Sequence, residues 1–489
     1  MRVVFWKSAL ALAVVVTLGY AINNQYIQTY APNDITGSLY SWWEPSTAVG
    51  PTWVHSFLSQ YSGWAQTAAW NGGWRTSGII SAPNGSGGQK PVGDVYLAYD
   101  SLRSRYVMAA TSEEEASSSL YFSTSSDGLN WSTLQAVLSG PGLGGAFDYG
   151  SVAVDSAGRI IVGAVKYFDN LQTSSANGYW VRTSSDGGNS WSTPYEVASP
   201  NPGDQRWGIN SRVVAAGNHF LVFTPSLQPG VRFQPTAVSY YFESGGSWSG
   251  PSLLMSFSAP MNNSPTTYNG NSIYYAPLID ASGNSSGKWA VTFQMNWAGY
   301  NNVNVCTGIY NSPSGCTTIN PAYDDEFMNG VSVDPNGGVW LSYLTYSTLF
   351  SRQVPLYHQT IYFPVAGGVL GATGDYNVAP TSWYLDRAQF RCGPSCWAEG
   401  DYARIGSNAY LGVDSPYVKQ APPYSCGLFQ IFASDPQGAT PPNTFTPHPV
   451  YYPPGAVLQG SAGPNPASTL GIPPEDPKRR KVPGWLVAN

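Results

Sequence analysis

The sequence predicts an all-β protein, and three features of its composition support this prediction. Aromatic residues make up 14% of the 489 residues, and Tyr, Trp and Phe favour pleated strands. Charged residues make up only 10%, against about 25% in an average soluble domain, so the Glu and Lys that long surface helices need are scarce. The 53 Gly and 39 Pro provide frequent turns. This composition argues against helical bundles, coiled coils and doubly wound α/β folds, and its aromatic content argues against disorder.

The first 21 residues have the pattern of a secretory signal peptide. Two basic residues, Arg2 and Lys7, precede an apolar stretch from Ser8 to Leu18, and the small residues Gly19 and Ala21 occupy the positions expected before a cleavage site. An uncleaved N-terminal membrane anchor is the alternative interpretation of residues 1–21. No later segment has the run of about 20 apolar residues that a spanning helix needs. We therefore expect a secreted or extracellular surface protein.

The distribution of charge bears on the partners of the chain. The formal net charge is −6 and the body of the chain has no long basic stretch, so a nucleic-acid partner is not expected. One basic run, from Lys478 to Lys481, lies in a segment rich in Pro, Gly and Ser. We interpret residues 456–489 as a flexible tail with solvated charges, and a contact with an acidic surface polymer is the alternative. Membrane contact is expected only through an uncleaved N-terminal anchor.

The five cysteines suit an oxidising compartment. Cys306 and Cys316 bracket a loop rich in Gly, Ser and Asn, and Cys392 and Cys396 bracket a tight turn, so we predict these two disulfides. Cys426 is then left over, so that either the pairing differs or one thiol stays free. None of the four His falls at ligand spacing with a Cys pair, and no zinc site is predicted.

A repeated hairpin pattern is the strongest signal in the sequence. Residues 120–133 read LYFSTSSDGLNWST, residues 179–193 read YWVRTSSDGGNSWST, and a weaker copy occupies 240–250. Each copy predicts an aromatic-rich strand, a Ser-Asp-Gly turn whose Asp accepts backbone N–H groups, and a Trp that starts the returning strand. We therefore assign structural roles to Ser125, Asp127, Gly128, Trp131, Ser184, Asp186, Gly188 and Trp191.

A second repeat precedes the hairpins. The segment from Asp148 to Asp155 is echoed from Phe327 to Asp334 and more loosely from Asp401 onward. Short strands separated by turns at this spacing, in units of four, predict the antiparallel blades of a β-propeller. We expect six blades, with seven as the alternative, near residues 90–140, 146–200, 205–255, 262–320, 322–390 and 398–452.

The turn motif connects the chain with a known superfamily. Ser-Ser-Asp-Gly-Gly-Asn-Ser-Trp at 184–191 is similar to the Asp-box, or BNR repeat, of sialidase-like β-propellers, and residues 125–131 are a shorter form of it. Gly-Asp-Tyr at 400–402 also resembles the start of an inner strand in secreted members. The resemblance covers residues 66–455, within which residues 66–82 are expected to add a closing strand to the last blade. The Trp-rich residues 22–65 are expected to pack against the propeller.

The loops that lead into the inner strands of a propeller line one mouth of its channel, and ligands are expected there. In this chain those loops collect many of its ionisable residues: Asp148, Tyr149, Asp204, Arg206, Asp324, Asp325, Glu326, Arg387, Arg391, Glu399, Asp401, Tyr402 and Arg404. Charges also collect in loops for solvation alone, so the pattern has a purely structural explanation too. As ligand-binding candidates we select Tyr149, Arg206, Arg212, Asp325, Glu326, Asp401 and Arg404.

The resemblance implies one enzymatic hypothesis, which is exo-sialidase-like glycoside hydrolysis. Arginine forks grip a carboxylate at two points, a role that the resemblance would give to Arg206, Arg212 or Arg404. Tyr402 with Glu399 would form the nucleophile pair, and Asp148 would be the acid. The Arg-Ile-Pro motif of the family is missing, because Arg75 is followed by Thr and Ser. No recognisable set of sialidase catalytic motifs is present, and whether the chain is an enzyme stays open.

A non-enzymatic binding module is the competing hypothesis, and we favour it. Tyr and Trp on loops stack on sugar rings, while Asn, Ser and Asp provide hydrogen bonds without much net charge. We therefore expect a secreted or cell-surface propeller that binds a carbohydrate or another extracellular ligand at the channel mouth. A glycosidase and a structural or adhesive surface protein are the alternatives. No cofactor is predicted, and Ca²⁺ at Asp324, Asp325 and Glu326 is the one metal hypothesis.

Overall fold

A computed structural model describes the central part of the chain and a few segments at either end. The described residues are 28–29, 33–34, 42–59, 65–70, 74–84, 87–112, 117–167, 176–198, 211–227, 235–256, 266–268, 271–273, 279–297, 300–318, 324–347, 357–363, 365–366, 369–370, 406–407, 411–414, 417–419 and 426–434. The predicted signal peptide and tail lie outside them. Within the described part of the chain, no helix is long and apolar enough to cross a membrane.

The first half of the chain forms three antiparallel sheets. Two short strands, β1 (Gln28–Thr29) and β2 (Asn33–Asp34), precede a sheet of β3 (Trp42–Val49), β4 (Trp53–Ser59), β5 (Ala65–Trp70) and β6 (Trp74–Thr76). The second sheet contains β7 (Ser81–Pro83), β8 (Gln89–Asp100), β9 (Arg105–Ser112), β10 (Leu120–Ser125) and β11 (Gln135–Leu138). A short helix, α1 (Gly140–Leu143), leads to the third sheet, with β12 (Ala146–Val154), β13 (Ile160–Tyr167), β14 (Ala176–Ser184) and β15 (Tyr195–Ala198).

The same pattern continues in the second half. The fourth sheet has β16 (Arg212–Ala216), β17 (His219–Leu227), β18 (Pro235–Ser244) and β19 (Ser247–Ser256). After the hairpin of β20 (Thr266–Tyr268) and β21 (Asn271–Ile273), the fifth sheet has β22 (Ile279–Gly283), β23 (Lys288–Trp297), β24 (Tyr300–Ile309) and β25 (Ser312–Thr318). The sixth has β26 (Asp324–Val333), β27 (Val339–Ser347) and β28 (Tyr357–Phe363).

The last strands join the two ends of the chain. A hairpin of β29 (Val365–Ala366) and β30 (Val369–Leu370) precedes β31 (Gly406–Ser407), β32 (Leu411–Asp414), β33 (Tyr417–Lys419) and β34 (Cys426–Ser434). Strand β34 pairs with β32 and β33 of its own end and with β1 and β2 of the N-terminal end. One sheet is thus built from both ends of the chain.

The sheets are arranged in a ring, which confirms the predicted all-β propeller. The inner strands β3, β8, β12, β16, β22 and β26 lie side by side in that order, and β31 contacts both β26 and β3. Apolar clusters fill the spaces between successive sheets. Tyr96, Phe122, Phe147 and Val162, for example, pack together between the second and third sheets. Because each sheet buries both faces against its neighbours, the ring is held by these clusters.

The sheets differ from the expected blades at the N-terminal end. Residues 42–76 were expected to contribute to a packing segment (22–65) and a closing strand (66–82), but they pair into a four-stranded sheet of their own. Against the expected six blades, with seven as the alternative, the described residues form five sheets of four or more strands, one of three, and the sheet shared by the two ends.

The two faces of the ring are named here by the direction of the inner strands. The mouth face is where these strands begin, and the base face is where they end in turns such as that of Asp155. On the base face, hydrogen bonds link each turn to the next sheet: Arg103 Nη1 to Gly158 O (2.8 Å), Ser156 N to Gly217 O (2.9 Å), Gly217 N to Asn284 O (2.8 Å) and Asn284 Nδ2 to Asp334 O (2.8 Å). The base face is therefore joined from sheet to sheet by hydrogen bonds.

The two Ser-Asp-Gly turns also lie on the base face. Asp127 Oδ1 accepts hydrogen bonds from the backbone of Leu129 (2.9 Å) and Asn130 (2.8 Å) and from the hydroxyl of Ser125 (2.9 Å). Desolvation acts to raise the pKa of Asp127, but these hydrogen bonds outweigh it and lower that pKa to about 2. Asp186 accepts the equivalent bonds from Ser184 (2.8 Å) and Ser190 (2.9 Å), and bonds from Ser190 and Ser184 lower its pKa well below the usual range.

The glycine and tryptophan of each turn contact the preceding sheet. Gly128 has a φ of 74°, and a Cβ at this position would lie 2.2 Å from the side chain of Val54. At Gly188, with a φ of 94°, a Cβ would lie 2.3 Å from the ring of Phe122. Trp131 Nε1 donates to Thr67 Oγ1 (2.9 Å), and the ring of Trp191 packs edge-on against that of Phe122 with centroids 5.0 Å apart. Both turns thus serve as contacts between neighbouring sheets.

A disulfide links Cys306 and Cys316, which are directly opposite each other on β24 and β25 with Cα atoms 4.0 Å apart. It fastens the outer strand of the fifth sheet to its neighbour. Cys392 and Cys396, the second predicted pair, lie outside the described residues.

Candidate functional site at the channel mouth

The inner strands enclose a central cavity of about 320 Å³, which extends to the base-face turns at Asn284 and Pro335. Small apolar residues line it on four successive strands: Ala48, Ala98, Ala153 and Ala215. Asp280, on β22, brings a carboxylate to the same wall although only 4% of the residue is exposed. A charged group buried in an apolar wall is costly, so its partners define the candidate site.

Four inner strands share an irregularity near the mouth face. Between Asp148 and Ser151, β12 advances by three residues while β13 advances by two, which defines a β-bulge. The equivalent shifts lie between Trp43 and Ser46, Gly93 and Tyr96, and Phe327 and Gly330. The sequence repeat of 148–155 and 327–334 therefore corresponds to bulged inner strands. Bulges change the direction of side chains and are frequent beside functional sites.

Two bulges hold their first inserted residue in the left-handed region. Asp94 has a φ of 43° and Tyr149 a φ of 50°, a conformation that costs a non-glycine residue about 1–3 kcal/mol. Both side chains are buried. The Asp148 carboxylate is also buried, and its Oδ1 accepts from the backbone N–H of Tyr149 (2.9 Å). The bulges thus place polar side chains inside the ring at its mouth.

Arg212 is the central side chain of the site. It is the first residue of β16 and only 1% of it is exposed. Its guanidinium lies 5.4 Å from the centre of the Tyr96 ring, and its Nε is 3.8 Å from Asp280 Oδ1. Nη1 donates to the carbonyl of Ser211 (3.1 Å). A distance of 3.8 Å is an ion pair without a hydrogen bond, so among the described residues the Nε donor of Arg212 has no acceptor.

These contacts connect five inner strands in series. Tyr96 on β8 packs against Gly150 on β12, where a Cβ would lie 3.1 Å from the ring. The same ring faces Arg212 on β16, which pairs with Asp280 on β22, and Asp280 Oδ2 accepts from the backbone N–H of Val331 on β26 (2.9 Å). A continuous series of polar and aromatic contacts therefore runs around the mouth from β8 to β26.

Two amide side chains near this set lack hydrogen bonds. Gln294 and Asn329 are each 1% exposed, and among the described residues neither side chain has a hydrogen-bond partner. Gln294 lies opposite Val303, on the side of the fifth sheet that packs against Val331 of β26. Asn329 lies two residues before Val331, toward the mouth face. Since buried polar groups are nearly always hydrogen-bonded in proteins, two such amides at one end of one interface require a specific explanation.

The predicted site residues divide into two groups. Asp148, Tyr149 and Arg212 lie on the neighbouring strands β12 and β16 at the mouth face. Asp325 and Glu326 lie in β26, opposite Tyr346 and Thr345. Outside the described residues are the remaining candidates, Arg206, Glu399, Asp401, Tyr402 and Arg404. Among the described side chains, no group of three His, Cys, Asp or Glu is arranged to hold a metal ion.

Five residues of the site were not predicted from the sequence: Tyr96, Asp94, Asp280, Gln294 and Asn329. Asp280 had a usable signal, because a single acid follows the apolar pair Leu278 and Ile279. Asn329 matches Gly150 in the sequence repeat, and each is the second inserted residue of its bulge, but only the structure reveals the burial of Asn329. Gln294 is one polar residue in a strand of alternating character and gave no signal.

The fold and the site together define a β-propeller with a buried polar mouth. No protein-family model matches the chain, and no curated protein does so either. Solved structures with a similar fold include a Dyadobacter fermentans protein of unknown function, with 12% identity, 84% of this chain and 98% of that chain covered, and a TM-score of 0.43. NanB, solved with Optactamide, has 10% identity, covers 73% of this chain and 70% of its own, and has a TM-score of 0.43.

A third similar structure is the α-L-arabinofuranosidase Arb93A of Fusarium graminearum, solved with an iminosugar inhibitor. It has 11% identity, 83% of this chain and 98% of that chain covered, and a TM-score of 0.42.

Proposed function

We propose that this chain is a secreted or cell-surface ligand-binding propeller that holds a carbohydrate at the mouth of its channel. The observation that supports it is the concentration, at one end of the ring, of buried polar side chains whose hydrogen-bonding groups have no partner among the described residues. These groups are Arg212 Nε and the amides of Gln294 and Asn329. The N-terminal signal pattern and the Cys306–Cys316 disulfide support the extracellular location.

A carbohydrate suits these groups chemically. Each sugar hydroxyl both donates and accepts, as does each side-chain amide, so one hydroxyl satisfies the donor and the acceptor of a neighbouring amide. The guanidinium of Arg212 adds a donor that needs an oxygen, and aromatic rings such as Tyr96 pack against the apolar face of a sugar. Since buried polar groups stabilise a fold when they are hydrogen-bonded, a hydroxylated ligand that bonds these side chains would add to the stability of the fold.

Glycoside hydrolysis is the second candidate function, and one feature favours it. Asp94 and Asp148 are buried carboxylates beside equivalent bulges of the adjacent strands β8 and β12. Hydrolysis of a glycosidic bond commonly uses two carboxylates. In the family that the Asp-box motif resembles, the nucleophile pair would correspond to Tyr402 and Glu399. We keep hydrolysis as the alternative to binding alone.

A glycan array probed with the full chain tests the proposal, followed by calorimetric titration of the sugars that bind. We expect Gln294→Leu and Asn329→Leu to weaken binding at least tenfold, because each removes a hydrogen-bonding amide while keeping the volume. Asn130→Ala, at an exposed position on the base face, is the control and should bind as the wild type does. The proposal is contradicted if no sugar binds, or if both leucine variants bind as tightly as the wild type.

Fluorogenic glycosides distinguish the two candidate functions. Turnover that disappears in Asp148→Asn, with sugar binding retained, would make the chain a hydrolase. Binding without turnover of any glycoside in the panel supports the binding module.

A further inference from the structure

One short sequence motif lies apart from the candidate site at the channel mouth. Asn-x-Ser, in which the middle residue is not Pro, occurs at Asn84, Asn130, Asn262 and Asn284. In exported proteins this motif is the acceptor of an N-linked glycan, and a bulky, hydrophilic glycan requires a position on the surface. Asn262 lies outside the described residues. The other three asparagines lie in two different environments, so the structure distinguishes between them.

Asn130 lies in the Ser-Asp-Gly turn of the second sheet, on the base face, and is exposed. Its Nδ2 donates to Asp127 Oδ2 (2.7 Å), and its backbone N–H donates to Asp127 Oδ1 (2.8 Å). A glycosylated asparagine keeps one N–H on Nδ2, which is sufficient for the bond to Asp127. Ser132, the third residue of the motif, is also exposed. A glycan on Asn130 is therefore compatible with the turn.

Asn84 lies between β7 and β8 and is also exposed. Because β8 is an inner strand and inner strands begin at the mouth face, this turn lies on the mouth side of the ring. Asn84 Oδ1 accepts from the backbone N–H of Gly88 (2.8 Å), and Asn84 N donates to Gly88 O (3.2 Å). These bonds use atoms other than Nδ2, so a glycan on Nδ2 leaves both of them in place.

Asn284 has the same motif in the opposite environment. Only 9% of the residue is exposed, and its Nδ2 donates to Asp334 O of the sixth sheet (2.8 Å). Its Oδ1 accepts from the hydroxyl of Ser286, the third residue of its own motif (2.8 Å), and its backbone carbonyl accepts from Gly217 N of the fourth sheet (2.8 Å). A glycan on Asn284 Nδ2 would displace the contact with Asp334, so the folded chain does not accommodate it.

We propose that the exported chain carries N-linked glycans on Asn84 and Asn130, on opposite faces of the ring, and that Asn284 stays unmodified. The donor of the glycan is a lipid-linked oligosaccharide diphosphate. Nδ2 of the asparagine forms a bond to C1 of the first sugar, the bond from C1 to the phosphate oxygen breaks, the lipid diphosphate leaves and Nδ2 releases one proton. The signal pattern of residues 1–21 and the Cys306–Cys316 disulfide support export to a compartment where this transfer occurs.

Secretion of the full chain from a eukaryotic cell line tests the proposal. Enzymatic release of the glycans in heavy-oxygen water converts each glycosylated asparagine to a labelled aspartate, which peptide mass spectrometry locates in the sequence. We expect the label at Asn84 and Asn130 of the secreted protein and no label at Asn284. The proposal is overturned if Asn84 or Asn130 is unlabelled, or if Asn284 is labelled.

Two substitutions of Ser132 form a matched pair for the site at Asn130. Ser132→Ala removes the hydroxyl that the motif requires, and we expect the loss of one glycan, seen as one step in gel mobility. Ser132→Thr keeps a hydroxyl and should keep the glycan. Asn84→Gln should produce the same single step without a change in the turn of Asn130. A gel mobility that neither Ser132→Ala nor Asn84→Gln changes contradicts the proposal.

Discussion

Each face of the propeller contains an arginine that pairs with carboxylate groups. Arg159, on the base face, pairs with two carboxylates, whereas Arg212, on the mouth face, pairs with one. On the base face, Arg159 Nε lies 2.7 Å from Asp155 Oδ2 and Nη2 lies 3.2 Å from Glu243 Oε2. Burial acts to lower the pKa of Arg159, but hydrogen bonds and charge from Glu243 and Asp155 raise it above its usual value. On the mouth face, Arg212 is more buried, yet its Nε is 3.8 Å from Asp280 Oδ1.

This difference in hydrogen bonding indicates a structural role for the Arg159 cluster and a ligand-binding role for the Arg212 cluster. The Arg159 cluster joins the third sheet to the fourth, and each of the three guanidinium nitrogens of Arg159 donates at least one hydrogen bond. Within the described residues, the Nε donor of Arg212 has no acceptor, and the amides of Gln294 and Asn329 lie near the same mouth. A binding site needs hydrogen-bonding groups that are available to its ligand. We therefore assign the binding function to the mouth face.

The largest expected effect on the free energy of unfolding comes from removing the cation of the Arg159 cluster. Arg159→Met leaves the buried carboxylates of Asp155 and Glu243 without their cation, and we expect a loss of about 3–5 kcal/mol in the free energy of unfolding. The double variant Arg212→Met/Asp280→Asn removes both charges of the mouth pair and should cost less than about 2 kcal/mol. Urea denaturation measures both. Equal losses would remove the contrast between the two faces.

Acid should destabilise the fold through His55, near the base end of β4. Burial lowers the pKa of His55 to about 3, against 6.5 in an unfolded chain. Below pH 6.5 the unfolded state binds the proton and the folded state does not, so stability is full above pH 6.5 and falls as the pH drops toward 3. At pH 5 we expect a loss of about 2 kcal/mol.

His55→Gln isolates this effect. Asp127, with a pKa of about 2, stays ionised between pH 5 and 6.5 and contributes no slope there. Denaturation curves at several pH values should therefore lose most of their slope in that window when His55 is replaced. A slope that is unchanged in the variant would show that another group is responsible.

The amide pair offers a matched comparison between the faces. Gln294→Leu removes a buried amide that has no hydrogen-bond partner in the described part of the chain, and we expect the free energy of unfolding to rise by about 1 kcal/mol. Asn284→Leu removes a base-face amide that donates to Asp334 O and accepts from the backbone of Ser286 (3.0 Å), and we expect a fall of about 2 kcal/mol. A fall of similar size for both variants would contradict the assignment of unused capacity to Gln294.

The smallest expected effect concerns a turn of the base face. Asp127→Ala removes the acceptor for the backbone N–H groups of Leu129 and Asn130 and should cost about 1 kcal/mol. Sugar binding should be unchanged, because the turn lies on the opposite face from the mouth. A variant with normal stability but weakened binding would place function at the base.

The propeller fold could be predicted from the sequence because its sheets repeat the same local sequence patterns. Alternating strands, Gly turns and the Ser-Asp-Gly hairpins act over a few residues, so they are visible without tertiary information. The sheet at 42–76 escaped notice because it has no such turn and its first strand contains Pro45. The site was harder to predict. The position of Arg212 at the start of an inner strand followed from the repeat, but the missing partners of Gln294 and Asn329 depend on how two sheets meet.

The most direct test of the account is a crystal structure of the full chain with a sugar selected on the glycan array. The account predicts the sugar at the mouth face, with oxygens within hydrogen-bond distance of Arg212, Gln294 or Asn329. A sugar bound at the turns of the base face, or on the outer strands with the mouth groups unchanged, would contradict it.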